Sequence, residues 1–167
     1  FVYTIWLKRK TPQNIVIGGA SGALPPVIGW AIATNSISLE SIAFFLIIFF
    51  WTPSHFWALS LYKADDYKKA GIPMLPVTNG IQNTKKNILI YSLLMIPTII
   101  FPYYIGFVGE VYLSLSLLLT FYYNLICYQL YNYKVGKFNI KKARHIFSYS
   151  IIYLFLIFVF FLVDKII

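Results

Sequence analysis

Residues 39–62 read LESIAFFLIIFFWTPSHFWALSLY, an apolar run with a single acidic residue, Glu40, near its start. A bilayer has a hydrocarbon core of ~30 Å, which a helix of about 20 apolar residues crosses. Backbone groups in lipid must be hydrogen-bonded internally, and the run lacks the alternation of a barrel strand. The stretch therefore predicts a transmembrane helix.

Comparable runs recur along the chain, and we predict five spans at about residues 12–34, 39–62, 87–107, 111–131 and 146–163. Of the 167 residues, 59% are hydrophobic and 11% are charged, with a mean hydropathy of +0.72. Soluble domains carry about 25% charged residues. The predicted fold class is therefore all-α, a polytopic transmembrane helical bundle that forms a single membrane domain over residues 1–167.

The positive charges are confined to a few short connections between the runs. All but one of the fourteen Lys and Arg residues lie in the segments 8–10, 63–86 and 134–144, whereas the connections 35–40 and 109–110 have none. Basic loops stay in the cytoplasm. We therefore expect the 63–87 loop to be cytoplasmic and the C-terminus to be outside, and we attribute the net charge of +9 to topology rather than to nucleic-acid binding.

The first span contains helix signals and small residues. Thr11 and Pro12 suit the start of a helix, and Pro25 is expected to distort its outer half. Gly18 and Gly22 lie four residues apart, so we expect close packing against another helix. The polar residues Gln13 and Asn14, at the predicted cytoplasmic edge, are candidates for reaching a cavity between helices; the alternative is that they satisfy the end of the helix.

Two groups of ionisable residues are candidates for chemistry. His55 lies inside the second span, where an ionisable group is a functional candidate by default, the alternative being a neutral His bonded to a neighbouring helix. If the helix continues past Tyr62, then Trp51, His55, Tyr62 and Asp66, spaced by 4, 7 and 4 residues, share one face.

Asp65 and Asp66 form an acidic pair among lysines that include Lys63. Such a pair can hold Mg²⁺, because this ion is usually bound by one or two carboxylates together with phosphates of the substrate. The alternative is a solvated surface on which the carboxylates and lysines neutralise one another.

Four stretches carry a resemblance to a known family: Tyr3-Thr4 with Leu7-Lys8-Arg9; residues 11–20, TPQNIVIGGA; residues 51–59, WTPSHFWAL; and residues 66–77, DYKKAGIPMLPV. They resemble the protohaem IX farnesyltransferase branch of the UbiA superfamily of intramembrane prenyltransferases. Proteins of this family have nine helices, so the resemblance implies that the five spans are the last five. Since the chain starts at Phe1 with what reads as the end of a hydrophobic segment, we expect a C-terminal fragment.

The resemblance implies transfer of the farnesyl group of farnesyl diphosphate to a vinyl group of haem b, which gives haem O and diphosphate. It implies that Asp65 and Asp66 are the catalytic and Mg²⁺-binding residues, with Lys63, Lys8 and Arg9 at the diphosphate. The wider superfamily has an Asp where this chain has His55, so we expect His55 to help bind the porphyrin.

The resemblance also implies a bacterial inner membrane, with the mitochondrial inner membrane as the alternative, and it makes haem A synthase and terminal oxidase assembly candidate partners. The family's first Asp-rich motif is missing from these residues, so we expect the chain alone to be inactive. Two other functions remain open: a quinone-type aromatic prenyltransferase, and a non-enzymatic membrane transport or assembly subunit.

Overall fold

The computed structural model describes residues 11–133 and 140–167, so the candidate residues Lys8 and Arg9 lie outside the described residues. Within these ranges all the regular secondary structure is helical. The helices are α1 (Asn14–Ala23), α2 (Pro25–Thr34), α3 (Leu39–Tyr62), α4 (Ala64–Lys69), α5 (Leu75–Thr78), α6 (Gly80–Tyr104), α7 (Glu110–Tyr131) and α8 (Ile140–Ile166).

The five predicted spans are confirmed. In the described part of the chain, five helical stretches are long and apolar enough to cross a membrane: α1 with α2, then α3, α6, α7 and α8. Helices α6 and α8 begin at Gly80 and Ile140, several residues before the predicted spans. A helix forms its backbone hydrogen bonds internally in water as well as in lipid. Its polar first turns can therefore extend beyond the apolar run.

The first span is interrupted between α1 and α2, as expected from its prolines. Helix α1 ends at Ala23 and α2 begins at Pro25, because consecutive prolines cannot donate the backbone hydrogen bonds that would continue the helix. At the other end, the Thr11 hydroxyl oxygen accepts a hydrogen bond from the Gln13 amide at 3.2 Å. This bond closes a turn before the helix, which begins at Asn14 with Gln13 as its N-cap and without a side-chain cap, so the prediction that Thr11 caps the helix and Pro12 lies in its first turn is wrong.

Helix α3 is the centre of the packing. It contacts α6 and α8, and α7 lies between those two helices, so α3, α6, α7 and α8 form a four-helix bundle. Helices α1 and α2 pack against α3 from the outside of this bundle. Aromatic and aliphatic side chains fill the interior, and the largest fully buried ones include Trp57, Tyr112, Tyr123 and Tyr153.

Polar side chains join the helices inside the bundle. The Ser54 hydroxyl on α3 is 2.8 Å from the Tyr123 hydroxyl on α7, and the Thr120 hydroxyl on α7 is 2.9 Å from the Tyr153 hydroxyl on α8. Lipid removes the hydrophobic contribution to helix association, so packing and such hydrogen bonds, worth ~0.6 kcal/mol each, hold membrane helices together.

Both ends of α7 are bound by side chains from its neighbours. The Asp164 carboxylate on α8 accepts hydrogen bonds from the Gly109 amide at 2.6 Å and the Tyr112 amide at 3.0 Å. At the opposite end, the buried Lys85 ammonium on α6 donates to the Tyr133 carbonyl at 2.9 Å. A negative group thus meets the positive end of the helix dipole and a positive group meets its negative end.

Candidate functional site

A cavity of about 500 Å³ lies between α1, α3 and the segment that follows α3. We call it the main cavity. Its wall is mostly apolar, and its volume falls in the range of small-molecule sites, about 300–1,000 Å³. The lining residues are Asn14, Ile15, Gly18, Gly19, Gly22, Ile48, Trp51, Thr52, Phe56, Tyr67, Ile72 and Met74.

The glycines of α1 all line the main cavity but differ in how closely they approach α3. A Cβ placed on Gly19 would lie 3.1 Å from Cγ2 of Thr52, so α1 approaches α3 closely at Gly19. A Cβ on Gly22 would meet no atom within 4 Å. The expectation that Gly22 packs against a helix is therefore wrong for the described residues, because Gly19 supplies the close contact and Gly22 opens onto the main cavity.

The acidic pair lies on α4, which is separate from α3. Helix α3 ends at Tyr62, and Lys63, with φ −113° and ψ 18°, leaves the helical conformation before α4 begins at Ala64. The prediction that Asp66 continues the face of His55 is therefore wrong, because the chain turns between them. Asp65 and Asp66 instead occupy the first turn of α4.

A smaller cavity of about 400 Å³ adjoins this turn, lined by Leu59, Lys63, Asp66, Tyr67, Ala70 and Ile72. The Lys63 ammonium donates to the Asp66 carboxylate at 3.0 Å. This hydrogen bond and the charge of Lys63 lower the pKa of Asp66 below its ordinary value. Burial raises the pKa of the Tyr67 phenol above its ordinary value. The site therefore presents the ionised carboxylate of Asp66 and the protonated phenol of Tyr67 at neutral pH.

His55 lies against α8 and is 7% exposed. Its ring stacks between those of Trp51, at a centroid distance of 4.3 Å, and Phe147, at 4.6 Å. Its Nδ1 is 2.6 Å from the Ser150 hydroxyl, which itself donates to the Phe147 carbonyl. Because a hydroxyl has one proton, Nδ1–H is the donor to Ser150 and Nε2 carries the lone pair.

The structure brings together some of the predicted site residues. Lys63 and Asp66 share the smaller cavity, and Asn14, which is 1% exposed, lines the main cavity. Asp65 is exposed beside Asp66 on α4. His55 is not among the lining residues and meets the main cavity through Trp51, which lines it. The described residues contain no group of three or more His, Cys, Asp or Glu side chains that could hold a metal by themselves.

Two site residues were missed by the reasoning from sequence. Tyr67 and Ile72 line both cavities. The only feature of the sequence that indicates a role for Tyr67 is its position directly after the acidic pair. No feature of the sequence indicates Ile72, because its position in the structure depends on the turn after α4.

The fold and site define a polytopic helical membrane protein with two adjoining, mostly apolar cavities and an ion pair at the smaller one. The sequence pattern of the UbiA prenyltransferase family matches residues 1–151. The chain belongs to this family.

The chain is similar to curated bacterial proteins named protoheme IX farnesyltransferase. It is 76% identical to the one from Pelagibacter ubique, over 99% of the chain and 55% of that protein. For the relatives from Parvibaculum lavamentivorans and Azorhizobium caulinodans the identities are 50% and 52%, over 98% and 94% of the chain and 52% and 51% of the relatives. The chain thus spans about half the length of the curated relatives it matches. No solved structure matches it.

Proposed function

We propose that the chain is part of an intramembrane prenyltransferase that transfers farnesyl from farnesyl diphosphate to a vinyl group of haem b. The observation that carries this proposal is the pair of adjoining cavities. Both cavities have mostly apolar walls, and the exposed ion pair of Lys63 and Asp66 lies at the smaller one. This arrangement suits a molecule with a long hydrocarbon tail and a charged head. Family membership and the names of the relatives supply the reaction.

The acidic pair is the proposed Mg²⁺ site. Two adjacent carboxylates are too few to enclose the ion, but Mg²⁺ is usually bound by one or two carboxylates with substrate phosphates completing the shell. The donor set of Asp65 and Asp66 fits that use. When bound, the ion would neutralise charge on the departing diphosphate. Lys63 would add an ammonium beside the same phosphates, with Lys8 and Arg9 as further candidates.

The proposed reaction moves the farnesyl group from the diphosphate to the vinyl group. The bond between farnesyl C1 and the diphosphate oxygen breaks, and its electron pair leaves with diphosphate. The vinyl π electrons of haem b form a new bond to C1, which leaves a cation on the vinyl carbon next to the porphyrin ring. Water adds to that carbon, and its proton goes to diphosphate. The products are haem O and diphosphate.

His55 and Asn14 are the proposed contacts for the acceptor end of the site. Haem iron is ligated by an imidazole nitrogen that carries a lone pair, as Nε2 of His55 does. The hydrogen bond between Nδ1 and Ser150 would fix this tautomer. Asn14 would contribute an amide at the wall of the main cavity. A His55→Ala variant that retains full haem binding and turnover would contradict the role of His55.

The proposed location is a bacterial inner membrane, with the acidic pair on the cytoplasmic side and the end of α8 outside. The basic residues of α4 and of the first turns of α8 support this orientation. We propose a single membrane domain with lipid, farnesyl diphosphate and haem b as its partners. Haem A synthase or a terminal oxidase assembly factor would be the acceptor of the product.

A chimera tests the function directly. The matching 166-residue segment of the Pelagibacter relative is replaced by this chain, and the chimera is expressed in a strain that lacks its own enzyme for haem O. Chromatography of extracted haems is expected to show haem O. Prenylation of an aromatic quinone precursor in place of haem would favour the quinone-type alternative. Absence of any prenyl transfer by an accumulated chimera would contradict the proposal.

A further inference from the structure

Tyr67 and Ile72 stand where the two cavities meet. Both side chains line the main cavity and the smaller cavity. The backbone holds them together, because the Ile72 amide donates to the Tyr67 carbonyl at 3.0 Å across the turn that ends α4. Gly71 permits this turn with a φ of +65°, a conformation that favours glycine. The junction is thus fixed by the main chain.

A substrate that spans the two cavities places its reacting bond at this junction. With the hydrocarbon tail in the main cavity and the diphosphate beside Lys63 and Asp66, the C1–oxygen bond lies next to Tyr67 and Ile72. Ile72 offers only hydrocarbon there. Tyr67 offers a phenolic hydroxyl, which donates one hydrogen bond.

We propose that Tyr67 is a catalytic residue whose hydroxyl donates a hydrogen bond to the diphosphate oxygen that leaves farnesyl C1. This inference rests on the proposed function and names a further residue for it. The C1–oxygen bond breaks with its electron pair moving to that oxygen, while Tyr67 keeps its proton and C1 bonds to the vinyl carbon. A fixed donor aimed at developing negative charge contributes about 10²–10³ in kcat in other enzymes.

Two neighbouring donors differ from Tyr67 in position. The Lys63 ammonium, 3.0 Å from the Asp66 carboxylate, lies at the smaller cavity only, so it meets the diphosphate away from the junction. Tyr62, one turn away at the end of α3, lines neither cavity; its ring packs against Phe147 and lies 5.4 Å from the Arg144 guanidinium carbon. Tyr62 is near enough to add to the rise that burial causes in the pKa of Tyr67 but lies outside both cavities, so it is a matched control for a phenol that lines neither cavity.

The test compares Tyr67→Phe and Tyr62→Phe in the chimera, with farnesyl diphosphate and haem b as substrates. Tyr67→Phe removes one oxygen and keeps the ring, so we expect kcat to fall about 10²-fold while KM for farnesyl diphosphate stays within about threefold. Tyr62→Phe is expected to keep both constants. Retention of kcat by Tyr67→Phe, or a loss confined to KM, would overturn the inference.

Ile72→Ala separates the hydroxyl from the shape of the junction. It widens the same place but leaves the Tyr67 hydroxyl, so we expect a higher KM and a kcat within about threefold of the parent. If Ile72→Ala lowers kcat as much as Tyr67→Phe does, the shape of the junction explains both losses. Tyr67 would then only line the cavity, and the inference would be overturned. An inactive parent chimera would overturn the proposed function and this inference together, whereas an active parent with a fully active Tyr67→Phe overturns this inference alone.

Discussion

Helix α3 has two different sides. Toward α8 it is closely packed and hydrogen-bonded: the Trp51 indole donates to the Ser150 carbonyl at 2.8 Å, and the His55 ring lies between two aromatic rings. Toward α1 the same helix borders a cavity of about 500 Å³. The contrast shows how one membrane helix can be a rigid support on one side and the wall of a binding site on the other.

Trp51 belongs to both sides. Its indole nitrogen is bound to α8, whereas other atoms of the side chain line the main cavity. A side chain fixed in this way presents a stable surface to a ligand, because its rotamer is set by packing and hydrogen bonding rather than by the ligand. Substitutions of polar groups at the cavities should therefore change activity first, and those that disturb close packing should change stability first.

The largest expected effect is a loss of activity on substitution of Asp66, at the smaller cavity. Asp66→Asn keeps the size of the side chain but removes the charge, so we expect haem O formation by the chimera to fall by at least about 10²-fold, with little change in unfolding temperature. Glu110→Gln, at the first turn of α7, is the control and should retain activity. Full activity of Asp66→Asn, measured by chromatography of haems, would remove Asp66 from the site.

The glycines of α1 provide a matched pair. Gly19→Ala places a methyl group 3.1 Å from Thr52 and should destabilise the chimera by about 1–3 kcal/mol. Gly22→Ala meets open space and should be neutral or stabilise by up to about 1 kcal/mol, because alanine favours a helix over glycine. Unfolding of the detergent-solubilised proteins measures both. Equal effects would mean that the two glycines have the same surroundings.

The packed side is tested at Ser150. Ser150→Ala leaves the buried Nδ1–H of His55 without its acceptor, so we expect a loss of about 1–2 kcal/mol in stability. Ser148→Ala, on the exposed side of the same helix, is the control and should be neutral. If Ser150→Ala unfolds like the parent in detergent, the bond to His55 contributes nothing to the packing of α8 on α3.

The smallest effect is expected at the outer end of α8. Asp164→Ala removes the acceptor of two amides at the start of α7 and should cost about 1 kcal/mol, a typical value for a lost helix cap. Asp164→Asn retains one acceptor oxygen and should lose less. Thermal unfolding of the two variants compares them; a larger loss for Asn than for Ala would contradict a role as cap.

Much of the candidate site could be located from the sequence, though not its shape. The acidic pair and the lysines around it were visible as charges in a chain with few of them, and His55 was visible as an ionisable residue inside an apolar run. The sequence could not tell which way His55 faces, because helical spacing fixes relative positions on one helix and says nothing about its neighbours. Helical spacing also does not relate His55 to Asp66, because Lys63 interrupts the helix after Tyr62.

The sequence by itself determined the helical membrane class and the five spans, because long apolar runs are stable only in lipid and lipid permits few backbone conformations. Only the tertiary structure decided that Gly19 packs while Gly22 opens onto a cavity, that His55 is held by α8, and that Tyr67 meets both cavities. Those facts depend on which helices are neighbours and on how the chain turns after α4. Both are set by contacts between residues far apart in the chain, which local pattern does not encode.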